Sequence, residues 1–367
     1  MASFTTFIHG GLTGFDWRLC PAPVQVCRRT AVRGRRDRLE TIMKRLLTFI
    51  GLCLILALVN AAQANPDQWK RNGWGKTDFS QASVDFSEIL SGGPPKDGIP
   101  SIDKPQFSAA AGVDNIPGTE PVIRLEINGD LRAYPLRVMT WHEIVNDTVG
   151  GVPVAVTFCP LCNSAIVFER IVDGKETTFG TTGKLRNSDL VMYDRATESW
   201  WQQFTGEAII GSQTGAALKM LPVRVVSFDE FRRESGEGKV LMPELASRPY
   251  GNNPYDGYDG RSAPYPFFTG KMPEGINPMA RVIVVRDAGK VMAVSLAMVR
   301  EKGSVSLDDI EISWSKGVNS ALDTRQISKG RDVGAVRVRK GGDDMVHDIT
   351  FAFAFHAFHP DIDIIVN

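Results

Sequence analysis

Cysteine and histidine are both scarce in this sequence of 367 residues, which contains five of each. Three of the cysteines precede residue 65, so only Cys159 and Cys162 remain in the rest of the chain. A disulfide across two intervening residues closes almost no loop and adds little stability. The pair is therefore expected to have a chemical role rather than a structural one.

Several common functional signatures are also absent. The sequence has no glycine-rich phosphate loop, no His-Glu-x-x-His helix and no serine elbow. Nine of the 42 basic residues and three of the 42 acidic residues precede residue 65, which leaves 33 and 39 in the remainder. A mildly acidic chain without a basic patch argues against nucleic acid as a partner.

One long apolar run is present, near the N-terminus. Met43-Lys44-Arg45 is basic, residues 46–62 are uncharged and mostly apolar, and Ala62-Gln63-Ala64 fits the small-residue cleavage pattern. This order predicts a secretory signal peptide, a periplasmic or secreted protein, and no membrane attachment after cleavage. A membrane anchor is the alternative, although the run is near the lower length limit for a spanning helix. Residues 1–42, which contain seven arginines, are interpreted as a disordered, over-extended start.

The rest of the sequence indicates two unequal copies of one unit. Residues 122–129 and 282–289 share a strand pattern at an offset of 160. Residues 158–166 align with 314–322 through a shared Asn-Ser-Ala, at an offset of 156. Two blocks in the same order favour duplication over a chance match of strand patterns. The predicted fold class is α+β, predominantly antiparallel β, with two unequal pseudo-repeated β-rich units and few short helices.

One turn-rich segment separates the two copies. Residues 246–280 contain many turn-forming residues and no periodicity, which indicates an ordered connecting loop. The predicted organisation is residues 1–42 over-extended start, 43–64 signal peptide, 65–100 N-terminal extension, 101–245 first β-rich unit, 246–280 connecting loop and 281–367 second, degenerate β-rich unit.

The second copy lacks the residues that would carry chemistry. Ser315 and Val318 align with Cys159 and Cys162. The second copy is four residues shorter between the aligned blocks, and this shortening is interpreted as removing the match to Trp141-His142-Glu143. Chemistry is therefore predicted in the first copy. The second copy is predicted to be a scaffold in which Ser315 occupies a turn equivalent to that of Cys159.

Cys159-Pro160-Leu161-Cys162 lies between two strand-like segments, residues 154–158 and 165–168, which predicts a tight turn between strands. A thioredoxin-type site instead places Cys-x-x-Cys at the start of a helix, where the dipole lowers the thiol pKa. The turn is closer to the metal knuckles of rubredoxins and zinc ribbons. Those knuckles favour positive φ after the second cysteine, and Asn163 is compatible with that conformation.

Two thiolates need one or two further ligands to complete a zinc or copper site. His142, 17 residues before Cys159, is the candidate third ligand or a catalytic base; a hydrogen-bonded histidine at a helix end is the alternative. The predicted metal set is Cys159, Cys162 and His142, with Met192 as an additional candidate, and it suits a copper or zinc ion. The histidines of residues 355–360 are interpreted as structural.

A polar block follows at residues 183–195 and continues to residue 202. Its polar content is unusually dense for a plain strand, so it is predicted to line a pocket over the cysteines; a hydrogen-bonded corner is the alternative. The candidate cofactor-binding residues in this block are Asn187, Asp189, Met192 and Trp201.

Three functions remain open from these residues. The preferred one is an exported protein that binds a soft transition metal, Cu(I) or Zn(II), through the Cys-Pro-Leu-Cys knuckle and histidine. The first alternative is a periplasmic thiol–disulfide redox enzyme with Cys159, Cys162 and His142 as catalytic residues and a redox partner protein. This alternative becomes preferred if no histidine or methionine lies near the sulfurs. The second is an extracellular ligand-binding module with an incidental cysteine pair.

Five segments together resemble a bacterial family known as domain of unknown function 3179, and they span most of residues 120–360. The resemblance implies an exported protein with a Cys-Pro-x-Cys site and implies no established activity. Asn163 departs from the glycine expected at its position in that family. The matching segments are residues 133–136, 141–147, 157–162, 187–195 and 357–360.

Overall fold

The structure is a computed structural model, and it describes residues 65–234, 237–243 and 247–367. The predicted over-extended start and signal peptide lie outside these described residues. Within the described ranges, no helix is long and apolar enough to cross a membrane.

Strands dominate the described part of the chain, and its helices are short, which confirms the predicted α+β, predominantly antiparallel class. The α-helices are α1 (Pro66–Arg71), α2 (Leu136–His142), α3 (Phe228–Glu234), α4 (Leu296–Lys302) and α5 (Ala352–Phe358). The strands are β1 (Leu90–Ser91), β2 (Gln106–Ala109), β3 (Pro121–Ile127), β4 (Asp130–Pro135), β5 (Ile144–Val149), β6 (Val152–Cys159), β7 (Ser164–Glu169), β8 (Ile171–Val172), β9 (Lys175–Glu176), β10 (Phe179–Arg186), β11 (Asp189–Asp194), β12 (Trp200–Gln202), β13 (Ala208–Ile210), β14 (Met220–Leu221), β15 (Arg224–Ser227), β16 (Lys239–Met242), β17 (Arg281–Asp287), β18 (Lys290–Ser295), β19 (Ser304–Leu307), β20 (Ile310–Ser315), β21 (Ala335–Lys340), β22 (Asp343–Asp344), β23 (His347–Phe351) and β24 (Ile364–Ile365).

These strands form five sheets of four or five strands and one two-stranded ribbon. Between the named strands of the described chain, β4 with β16 and β18 with β24 are the two parallel pairs. The sheet orders are β1-β10-β11-β12-β13, β14-β7-β6-β5, β15-β3-β4-β16-β2, β23-β17-β18-β24 and β19-β20-β21-β22, with β8-β9 as the ribbon.

The strands that carry the cysteine pair are buried on both faces. Residues 154–159 of β6 and 164–168 of β7 are buried without interruption, as expected for their nearly continuous apolar sequence. The core cluster that contains them also includes Leu322, Phe351 and Phe353 from the C-terminal part of the chain. The strands around the Cys-Pro-Leu-Cys turn and the C-terminal part of the chain therefore share one core.

Residues from the predicted N-terminal extension cover the sheet formed by β10, β11 and β12. The rings of Trp69 and Trp74 lie 5.1 and 4.9 Å from that of Trp200, and Trp74 also packs edge-on against Tyr193 at 4.9 Å. Phe79 contacts Trp200 at 5.5 Å. This aromatic cluster buries the outer face of the sheet whose hairpin reaches the cysteine turn.

One order of elements occurs twice in the described chain. A hairpin, a seven-residue helix and a second hairpin are formed by β3–β6 with α2, and again by β17–β20 with α4. The helices keep the offset of 160, and the four missing residues fall in the second hairpin, where β19 and β20 are shorter than β5 and β6. The interpretation that this shortening removes the helix end is therefore wrong. The last residue of α4 is Lys302, at the position of His142 in the first occurrence. Gly303 follows it, at the position of Glu143.

The two occurrences also differ in the connection that follows the second hairpin. Four residues, 160–163, connect β6 to β7, whereas residues 316–334 separate β20 from β21. Cys159 pairs with Ser164 across its turn, while Ser315 pairs with Ala335. Both residues end their strands, but the prediction that Ser315 occupies an equivalent tight turn is wrong.

Candidate functional site

The cysteine pair lies in a short loop between antiparallel strands. Cys159 is the last residue of β6, and Cys162 is the third of the four loop residues before β7. Asn163 ends the loop with a φ of 56°. Its N–H donates to the Pro160 carbonyl at 3.3 Å, and its side-chain amide donates to the Ile349 carbonyl at 2.9 Å. The predictions of a turn between strands and of positive φ at Asn163 are both confirmed.

Groups from distant segments fix the backbone of this loop. The carbonyl of Cys162 accepts hydrogen bonds from the Phe351 N–H at 3.0 Å and from the Thr350 hydroxyl at 2.8 Å. The Tyr258 hydroxyl donates to the Leu161 carbonyl at 2.9 Å. Because these donors hold two consecutive carbonyls, the loop that presents the thiols is ordered by the fold itself.

A second hairpin brings a carboxylate to the two thiols. Asn187 and Ser188 form the two-residue turn between β10 and β11, and both have positive φ, 53° and 63°, as a type I′ turn requires. Asp189 follows as the first residue of β11. One ligand atom from each of Cys159, Cys162 and Asp189 lies within 4.8 Å of the other two, and all three residues are buried.

The carboxylate of Asp189 is only half satisfied. Its Oδ2 accepts from the Gln202 side-chain amide at 2.6 Å and from the Phe204 N–H at 2.9 Å. Its Oδ1 is buried and has no nitrogen or oxygen donor among the described residues, although both thiols hydrogen-bond the carboxyl. Because a thiol is a weak donor, a cation beside the thiols would satisfy this oxygen better.

Burial makes every acidic group of the site a weaker acid. It raises the pKa of both thiols, and the nearby charge of Asp189 raises them further. Burial raises the pKa of Asp189 to about 6 and that of Glu143 to about 8. Within the described chain, no Lys or Arg is a main influence on either carboxyl. A bound cation would stabilise the deprotonated form of all four groups.

Glu143 is a functional candidate that the sequence analysis did not single out. It directly follows α2, and its backbone carbonyl accepts from the N–H of Phe158, the residue before Cys159. A side-chain hydrogen bond joins its carboxyl to Tyr255, and the charge of Asp189 raises its pKa. The signal that could have found it is a glutamate 160 residues before Gly303, at the position where the second occurrence has a glycine.

His142 lies at a helix end and is held by hydrogen bonds. Its Nδ1 is 2.8 Å from the Pro100 carbonyl oxygen, and its Nε2 is 2.7 Å from the Tyr250 hydroxyl. Because a carbonyl can only accept, Nδ1 carries the proton and Nε2 accepts from the hydroxyl. Burial lowers the pKa of the ring, in keeping with this neutral form. The cluster of ligand atoms around the thiols contains Asp189 and does not contain His142.

The other candidates from the polar block have different surroundings. Met192 belongs to the same core cluster as the two cysteines. The Trp201 indole N–H donates to Asp194 at 3.0 Å, and Asp194 also accepts from the Thr197 hydroxyl at 2.7 Å. Asn187 lies in the hairpin turn next to Asp189. The block therefore contains both a residue beside the cysteines and a hydrogen-bonded corner.

Comparison with known proteins gives one match. The family model described as "Protein of unknown function (DUF3179)" matches residues 96–362 of the chain. No curated protein and no solved structure matches it.

Proposed function

We propose that this chain, which belongs to the DUF3179 family of proteins of unknown function, is an exported protein that binds a zinc ion through Cys159, Cys162 and Asp189. The observation that carries the proposal is the placement of two thiols and one carboxylate within 4.8 Å of one another in a buried site. Export rests on the predicted signal peptide of residues 43–64, and a periplasmic or secreted location follows from it.

The donor set favours zinc over Cu(I). Zinc binds thiolate and carboxylate ligands together, whereas Cu(I) prefers sulfur ligands alone. With zinc–sulfur bonds of about 2.3 Å and zinc–oxygen bonds of about 2.0 Å, the ligand atoms of a tetrahedral site lie roughly 3.5–3.8 Å apart. The upper limit of 4.8 Å between ligand atoms therefore requires only small side-chain rotations on binding.

The same geometry supports thiol–disulfide exchange less well. Exchange requires an accessible thiolate, but Cys159 is 2% exposed and Cys162 is 0% exposed. The raised pKa of both thiols keeps them protonated at neutral pH. The structure directs His142 to Pro100 and Tyr250, which meets part of the condition stated for preferring the redox function. That condition assumed that the site has only two protein ligands, and Asp189 supplies a third. A ligand-binding module with an incidental cysteine pair stays a further prediction.

We also propose that residues 121–159 and 281–315 are copies of one ancestral unit. Their first hairpins have the same two-residue turn, with positive φ at Asn128 and Gly129 and again at Ala288 and Gly289. The helices that follow have the same length and offset. In this proposal the second copy is a scaffold that supports the metal-binding copy.

Metal analysis of the reduced, chelator-washed protein tests the zinc site. We expect uptake of about one zinc ion per chain. Loss of a group that only hydrogen-bonds a metal ligand already costs about 10- to 100-fold in metal affinity, so C159S and D189N are expected to cost more than that. The matched control is I166L, a volume-conserving change in the same core that leaves Met192 and all three proposed ligands in place.

Two outcomes would overturn the zinc proposal. One is no uptake of zinc by the reduced protein. The other is unchanged affinity in both C159S and D189N. Rapid formation of a Cys159–Cys162 disulfide in mild oxidant, without metal uptake, would support the redox enzyme instead. Uptake of Cu(I) with an affinity that D189N leaves unchanged would show that the carboxylate is not a ligand of that ion.

A further inference from the structure

The backbone at Glu143 is in a conformation that suits glycine. This residue has φ 59° and ψ −32°, and Gly303 has φ 77° and ψ −41° at the same position after α4. Residues with a Cβ rarely adopt positive φ, whereas glycine does so without strain. The fold therefore needs this backbone conformation after both helices, and the first occurrence meets it with a strained glutamate. Strain of this kind concentrates at functional sites.

Burial of the Glu143 side chain is also unfavourable in free energy. The residue is 7% exposed, and a buried carboxyl is unfavourable without a charged partner or hydrogen bonds. The interaction that favours its ionised form is the side-chain hydrogen bond with Tyr255, which is itself buried deeply enough to raise its own pKa. Neither the strain nor the burial contributes to folding, so both point to a use for the carboxyl.

The backbone of Glu143 lies next to the end of β6, the strand that terminates at Cys159. Its carbonyl accepts from the Phe158 N–H at 2.8 Å, so its backbone is level with the residue that precedes Cys159. The charge of Asp189 acts on Glu143, and the charge of Glu143 acts on the Cys159 thiol. The carboxyl nevertheless lies outside the group of three residues whose ligand atoms are within 4.8 Å of one another.

We propose that Glu143 is the fourth protein ligand of the zinc ion, held by Tyr255 until the ion binds. The inference rests on the proposed zinc function and deepens it. Three protein ligands leave one of the four positions of a tetrahedral site open. Glu143 is a buried acidic group that is influenced by the charge of Asp189 and that influences Cys159. Two thiolates and two carboxylates around Zn²⁺ have a formal charge of −2, as in a four-cysteine structural site. Such a site is closed and has no position for a substrate.

The glycine-like backbone of Glu143 provides an unusually clean test. E143G removes the carboxyl and relieves the strain, so the apoprotein should fold at least as stably as the wild type. E143Q keeps the side-chain shape and removes the charge. Both variants are expected to bind zinc at least tenfold more weakly than the wild type. Y255F, which releases the carboxyl, is expected to bind zinc as tightly as the wild type or a few-fold more tightly.

Cobalt(II) absorption reports the coordination directly. The full exported chain with cobalt should show the intense visible bands of a four-coordinate ion together with sulfur-to-cobalt charge-transfer bands. In E143G and E143Q the visible bands should shift, because water replaces the carboxylate, while the sulfur bands remain. Wild-type zinc affinity and wild-type visible bands in both variants would overturn the proposal.

The failure of this inference can be told apart from failure of the zinc function. If the wild type binds zinc and loses it in C159S and D189N, but not in the Glu143 variants, only the fourth ligand is wrong. If the wild type takes up neither zinc nor cobalt, the zinc function fails, and the inference fails with it.

Discussion

Individual residues around the cysteine turn adopt backbone conformations that most side chains avoid. Of the ten described non-glycine residues with positive φ, four flank the proposed site: Glu143, Asn163, Asn187 and Ser188. Two of them form a type I′ turn, for which positive φ is required. Asn163 is an ordinary substitute for glycine. Glu143 is the exception, because neither a turn type nor its residue type favours the conformation.

The raised pKa of Glu143 predicts how the stability of the apoprotein depends on pH. The carboxyl ionises at 4.5 when unfolded and at about 8 when folded, so between these values unfolding releases a proton. The free energy of unfolding therefore falls as pH rises from about 4.5 to 8, on the order of a few kcal/mol in all. Urea denaturation with a chelator at pH 5.5 and pH 8.5 measures this difference.

E143G is the control for that measurement, because it removes the carboxyl whose pKa is raised. The difference between wild type and variant should grow as pH rises, with the variant relatively more stable at pH 8.5. Equal pH slopes in the two proteins would contradict the prediction. Asp189, with a pKa of about 6, adds a smaller change of the same sign below pH 6, which D189N removes.

His142 is predicted to matter for stability and not for zinc. His142→Ala removes the donor to the Pro100 carbonyl and the acceptor for the Tyr250 hydroxyl, both in buried surroundings. The expected cost is about 2–4 kcal/mol in the free energy of unfolding, with zinc affinity changed less than about threefold. Y250F is the matched control, because it removes only one of the two bonds. A tenfold loss of zinc affinity in the alanine variant would restore His142 as a ligand.

The two hairpins at the site differ in how much their sequences reveal. The β6–β7 turn could be predicted because β-branched and aromatic residues flank Cys159-Pro160-Leu161-Cys162 on both sides. The partner carboxylate of Asp189 could not be assigned to the metal set. Its approach to the thiols depends on packing between separate sheets, which no local pattern encodes. Spacing along the chain instead favoured His142, which the fold directs to Pro100 and Tyr250.

The turn of the β10–β11 hairpin offers a stabilising substitution. Ser188 has φ 63°, and its hydroxyl is buried without a hydrogen-bond partner among the described residues. S188G creates Asn-Gly, the preferred type I′ sequence, and is expected to raise the free energy of unfolding by about 1 kcal/mol. S188A removes the hydroxyl but keeps the strained Cβ, so its gain should be smaller. A loss of stability in S188G, measured by urea denaturation, would show that the hydroxyl has a partner on the folded protein.

The fold class of the whole molecule could be predicted from the sequence, but the packing of its sheets against one another could not. Strand periodicity predicted a mainly antiparallel fold with few helices, because the pattern of each strand is local. The contacts of the cysteine turn with Thr350 and Phe351 join residues about 190 positions apart in the sequence. Such long-range pairing depends on the packing of whole sheets. The helix after each first hairpin was not predicted either. The four residues missing from the second occurrence were therefore assigned to the helix end instead of the second hairpin.

This shared packing predicts that zinc and the C-terminal part of the chain stabilise each other. The core cluster around the turn contains residues from both parts, so the described chain should unfold in one transition. Zinc at about a hundredfold excess over its Kd adds about 2.7 kcal/mol to the free energy of unfolding, which should raise the Tm of the whole transition by about 5 °C.

The hydrogen bond from Thr350 to the cysteine turn tests this coupling at one residue. Thr350→Val removes the donor to the Cys162 carbonyl and should cost about 1–3 kcal/mol in the free energy of unfolding and a few-fold in zinc affinity. T350S, which keeps the hydroxyl, should retain the wild-type affinity. A separate, zinc-insensitive transition for the C-terminal part would contradict a shared core.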